Sequence, residues 1–107
     1  MSKLAIDFDG VIHDHKHPIE GRKMGGPIEG APQALARFRD QGHEVIIHSV
    51  NNKDVIAKWM SFYGLHYDEI TNIKPNADYY IDDKAIHFES WTKLLNFLNS
   101  QTSFQNS

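Results

Sequence analysis

The sequence predicts a three-layer α/β domain built around a central parallel sheet, and three observations carry that prediction. Short apolar runs of strand length alternate with amphipathic stretches of helix length. The clearest runs, Lys3-Leu4-Ala5-Ile6 and Glu44-Val45-Ile46-Ile47-His48, are continuously apolar between their polar ends, as buried strands are. Three such runs end in polar, chemically capable residues: Asp7 and Asp9, then Ser49, then Asp82 and Asp83. With right-handed crossovers, all these strand ends share one edge of the sheet, where ligands bind in open parallel sheets.

The first strand runs into Asp7-Phe8-Asp9-Gly10-Val11. Residues two apart in extended chain project to the same side, so Asp7 and Asp9 share a small volume where their charges repel. A divalent cation or a shared proton relieves that repulsion, and Gly10 lets the chain turn away at once. Residues 13–27 have no apolar period and hold two prolines and three glycines, which predicts a flap loop over the site. Its alternating His13, His15 and His17 lack the thiolates or the helical His pair of familiar zinc sites. They read as a solvated loop, or as a mobile flap on which His13, Arg22 and Lys23 contact an anionic substrate.

A helix follows, with Pro32 in its first turn, Leu35 and Phe38 on one face and Gly42 as its stop. The strand over 44–48 leads through Ser49-Val50-Asn51-Asn52 into a second helix, which presents Val55, Ile56, Trp59, Met60 and Tyr63 at helical spacing before Gly64. Trp59 and Met60 read as core, and so does His48 inside its apolar strand. A weak strand is expected over 67–71, a turn at Lys74-Pro75, a strand at Tyr79-Tyr80-Ile81 and an edge strand over 85–88. Asp78 reads as a turn residue. A last helix carries Trp91, Leu94, Leu95 and Leu98, and 101–107 reads as a tail.

The 107 residues suit one domain over 1–100, with 40% hydrophobic and 23% charged residues and a formal net charge of −3. That acidic balance argues against non-specific nucleic-acid binding. The absence of cysteine excludes disulfides, thiolate metal sites and cysteine nucleophiles. With no signal-peptide pattern ahead of the first strand and no run of about 20 apolar residues, the expected location is cytoplasmic, away from membranes.

Carboxylates, a hydroxyl and an ammonium on one rim suit a phosphomonoester. Asp7, Asp82 and Asp83 offer the hard oxygens that Mg²⁺ takes. With charge screened by metal and lysine, one Asp can attack phosphorus as a nucleophile, and the other can protonate the leaving alkoxide and later activate water. Ser49 would hydrogen-bond a phosphoryl oxygen and Lys74 would offset developing charge.

In order and spacing, these segments resemble the four motifs of the haloacid dehalogenase-like (HAD) superfamily of phosphotransferases. Asp7-Phe8-Asp9-Gly10-Val11 resembles the first, Ser49 the second, Lys74 in Ile73-Lys74-Pro75 the third, and Ile81-Asp82-Asp83 the fourth. The resemblance covers residues 3 to about 90 and implies a Rossmann-like (HAD-like) fold of the small capless bacterial and phage type, because neither usual insertion point holds a cap domain. It implies Asp7 as nucleophile and Asp9 as general acid/base. It also implies Mg²⁺ on Asp7, the backbone carbonyl of Asp9, Asp82 and Asp83, and substrate contacts from Gly10, Ser49, Val50, Asn51 and Lys74. Many relatives carry an arginine just after the second-motif residue; Val50-Asn51-Asn52 stands here instead. Asp9 argues against dehalogenation, since dehalogenase members lack a carboxylate there.

The expected activity is Mg²⁺-dependent phosphatase chemistry. A capless monomer suits exposed phosphates on macromolecules, whereas small phosphorylated molecules become accessible if the flap closes or a homo-oligomer lends a lid. The alternative is a non-catalytic metal- and phosphate-binding or receiver-like module, which has no need of an acid at Asp9. A phosphomutase would need the missing cap.

Overall fold

The computed structural model describes residues 2–82 and 86–100. Eight elements follow in order: β1 (Lys3–Asp7), α1 (Ala31–Asp40), β2 (Glu44–His48), α2 (Lys53–Phe62), β3 (Glu69–Thr71), β4 (Tyr79–Asp82), β5 (Ile86–His87) and α3 (Trp91–Asn99). The strands lie in the order β3-β2-β1-β4-β5 with every pairing parallel. This is the three-layer Rossmann-like α/β architecture expected from the sequence, with β1 at its centre.

The apolar runs form strands because both sheet faces are covered. Leu4 and Ile6 of β1, Val45 and Ile47 of β2 and Ile81 of β4 share one core cluster with Leu35 and Phe38 of α1, Ile56, Trp59 and Met60 of α2, and Leu94 and Leu98 of α3. Ala5 and Ile46, on the opposite face by alternation, are 4% and 3% exposed. Tyr80 is level with Ala5. Its hydroxyl donates to the Pro75 carbonyl at 2.8 Å and accepts the Ala77 N–H at 2.9 Å, so the crossover from β3 to β4 is clipped onto that face.

Caps fix the helix boundaries. Gly30, at φ 90°, precedes α1, and a Cβ there would sit 3.0 Å from the Trp91 Cβ. Asn52 caps α2, its side-chain oxygen accepting the N–H groups of Asp54 and Val55 at 2.9 and 3.1 Å. Val55, expected in the buried stripe, is 47% exposed, because it occupies the first turn beside the cap while Ile56 turns inward. The weak strand expected over 67–71 is shorter, since Asp68 serves as a clamp before it. The Asp68 backbone N–H and carboxylate bond the Val45 carbonyl and N–H, each at 2.8 Å. Asp78 treats Lys3 in the same way at 2.9 and 2.7 Å.

Residues 13–27 form a loop returning to its own root, not a cap domain. Asp14 N–H bonds the Gly26 carbonyl at 2.9 Å, and Ile28 N–H bonds the Ile12 carbonyl at 2.8 Å. No helix among the described residues is long and apolar enough to cross a membrane.

Candidate functional site

The centre of the site is a tight turn after β1. The Phe8 carbonyl accepts the N–H groups of Ile12 and His13, each at 2.9 Å, and Gly10, at φ 82°, donates its N–H to the His13 carbonyl at 2.9 Å. Phe8 is buried at 1% exposure, which fixes the turn to the core. The turn brings His13 back onto Asp9, whose Oδ1 lies 2.7 Å from His13 Nδ1. On its other side Asp9 Oδ2 accepts the side-chain N–H of Asn51. The carboxylate is thus gripped at both oxygens while its side chain stays 38% exposed.

His13 is 5% exposed, stacked on Phe8 at 5.1 Å and edge-on to Trp59 at 5.4 Å. Its far nitrogen, Nε2, accepts the Gly25 N–H at 3.0 Å, and the Gly25 carbonyl accepts Trp59 Nε1–H at 3.0 Å. The expectation that His13 faces substrate on a mobile flap is therefore corrected: both ring nitrogens are occupied, one by the carboxylate and one by the loop backbone. His48 is corrected in the opposite direction. It is half-buried at the end of β2 and lines a cleft of about 220 Å³ with Asp7, Asp9, Ser49 and Asn51.

In that cleft Ser49 Oγ accepts the Asn51 N–H at 3.1 Å, which leaves the hydroxyl hydrogen for an incoming acceptor. The Ser49 backbone N–H is tied to the Thr71 carbonyl at 3.0 Å. Val50 is 89% exposed at the rim. A second opening, of about 280 Å³, reaches Asp9 and Gly10 from the side of His15 and Lys16. Arg22 and Lys23 lie elsewhere, lining a cleft of about 300 Å³ with Trp59 and Phe62, and the Arg22 guanidinium sits 5.3 Å from the Phe62 ring centre.

Lys74 does not line the Asp7–Asp9–Ser49 cleft. It belongs to the clipped crossover, with its ammonium 4.9 Å from the Tyr80 ring centre. Asp82 stands one strand from Asp7, because Ile6 and Ile81 are level in the β1–β4 pairing. Asp83 lies outside the described residues. Among the described residues no group of three or more His, Asp or Glu could hold a metal ion.

Neither a family model nor a curated protein matches the chain. A solved structure of a conserved protein coded by a locus of Bacteroides thetaiotaomicron is similar. It shares 21% identity at a TM-score of 0.70 over 99% of this chain and 98% of that one. At that identity the likeness shows the shared fold.

The side-chain bonds of His13 and Asn51 to Asp9 are not legible in the local sequence pattern. The available signal was the four-residue spacing of Asp9 and His13 across Gly10, directly after the apolar Phe8.

Proposed function

We propose that the chain is a Mg²⁺-dependent phosphomonoester hydrolase of the HAD type, working through an aspartyl-phosphate on Asp7 with Asp9 as general acid and base. The observation that carries this reading is the double grip on Asp9. A carboxylate that merely ends a strand has no use for a buried imidazole and an amide aimed at its two oxygens.

Asp7 attacks phosphorus in line, and its new O–P bond forms as the ester P–O bond breaks. Asp9 gives its proton to the departing alkoxide. Asp9, now ionised, takes a proton from the water that attacks the phosphoenzyme. The Asp7–phosphorus bond then breaks, releasing phosphate and restoring both residues. The Ser49 hydroxyl donates to a phosphoryl oxygen, and Lys74, on its long stem, offsets charge once it swings from Tyr80. Asp7, Asp82 and the Asp9 carbonyl are hard oxygen donors of the kind that would hold Mg²⁺. When bound, the cation supplies charge neutralisation at the phosphoryl oxygens. The open rim suits exposed phosphates on large substrates, or small phosphate esters where a second subunit lends a lid.

The test is hydrolysis of an aryl phosphate with Mg²⁺ and with chelator, beside Asp7→Asn and Asp9→Asn. Turnover that requires metal, vanishes in Asp7→Asn and falls by about 10²- to 10⁴-fold in Asp9→Asn is expected. A protein that binds Mg²⁺ and a phosphate mimic yet never turns over would be a binding module.

A further inference from the structure

The His13 ring has a defined proton inventory. Its Nε2 accepts an N–H that can only donate, from the Gly25 backbone, so Nε2 carries no hydrogen. The proton of the neutral ring is then on Nδ1, where it points at Asp9 Oδ1 from 2.7 Å. The surroundings leave the ring no other pose. Phe8 and Trp59 bracket it, and the Gly25 that supplies the N–H is held through its carbonyl by Trp59 Nε1. Any side chain at Gly25 forces the backbone to shift, because a Cβ there would stand 2.0 Å from the Asp14 carbonyl oxygen.

From this chain of contacts we propose that His13 is the positioning residue of Asp9, and that the backbone of the 13–27 loop, through Gly25, selects the ring tautomer that does it. The inference rests on the phosphatase reading for its catalytic consequence, but not for its structural content. The loop is then a working part of the acid rather than a cover over it. Trp59 of α2 holds Gly25, Gly25 sets the proton of His13, and His13 aims the carboxyl group of Asp9, whose protonated form supplies the leaving group's proton. His13 touches no substrate; its effect falls on the step Asp9 performs, and so on kcat more than KM.

Two side chains separate the two ends of the ring. Asparagine places an amide N–H near the position of Nδ1 and can still donate to Asp9. Glutamine reaches the position of Nε2 and serves Gly25 instead. With thermal unfolding confirming folded protein, His13→Asn is expected to keep kcat within about 10-fold of wild type. His13→Gln should lose about 100-fold with KM changed by less than about 3-fold. A spectroscopic reading independent of turnover accompanies this: two-bond ¹H–¹⁵N correlation of the imidazole in the wild-type protein should show His13 protonated at Nδ1 alone. A His13 protonated at Nε2 would overturn the proposal whether or not the protein hydrolyses anything. With turnover present, equal kcat in His13→Gln and wild type would overturn the positioning role. A protein that shows the Nδ1–H tautomer but no turnover would sink the phosphatase reading and leave no acid for His13 to position.

Discussion

The two halves of the rim are built differently. At the end of β1 the carboxylate of Asp9 is held by a buried imidazole and an amide, and the imidazole is anchored in turn to loop backbone and a core tryptophan. On the other half Lys74 is exposed and leans on the face of Tyr80, in a crossover fastened by the Tyr80 hydroxyl and, at its end, by Asp78 on Lys3. The difference follows from the work proposed for each. A proton donor must meet one oxygen at hydrogen-bond distance, whereas an ammonium offsetting charge acts over several ångströms and tolerates a long stem.

The largest expected effect is on the fixed half. Gly25→Ala drives a methyl into the Asp14 carbonyl and should cost about 3 kcal/mol in a urea titration, with kcat falling as His13 loses its anchor. An unchanged midpoint would mean that the loop yields and the half is not rigid. Next comes the clip on the loose half. Tyr80→Phe removes a donor and an acceptor at once, and should lower stability by about 1–2 kcal/mol while changing kcat less than His13→Gln does. A larger kcat loss in Tyr80→Phe would reverse the comparison.

The smallest effect lies away from both halves. His43 is 4% exposed and its Nδ1 accepts the Ser2 N–H at 3.0 Å, and burial holds its pKa below the ordinary value of 6.5. The unfolded chain therefore takes up the proton first as pH falls. Stability contributed by neutral His43 is complete above about pH 6.5 and is lost on acidification through the lower, folded value. Unfolding midpoints between pH 7.5 and 5 should fall more steeply for wild type than for His43→Asn; parallel slopes would remove His43 from the account.

The sequence made the directional strands and their chemical ends legible, because both faces of β1 and β2 are covered and no alternation was needed. Asn52 and Gly64 announced the limits of α2 through ordinary capping chemistry. His13 was harder to read. Its solvated-loop appearance comes from the polar neighbours His15, Lys16 and His17, whereas its burial depends on Trp59, 46 positions away in the chain. His48 misled for the complementary reason: an apolar strand buries its middle, and its last residue belongs to the rim. Lys74 was placed in the correct connection, but the hydroxyl that holds this connection to the opposite sheet face comes from Tyr80, a residue that reads simply as strand. Long-range polar contacts between loops leave little trace in local pattern.

The most direct test of the central claim is to quench a reaction of wild-type protein, Mg²⁺ and an aryl phosphate in acid within a single turnover, and to map any phosphoryl group by peptide mass spectrometry. The account predicts one phosphoryl group on the peptide bearing Asp7, absent from Asp7→Asn and accumulating in a variant slowed at Asp9. Hydrolysis without a phosphopeptide, or a phosphoryl group on any other residue, would contradict it.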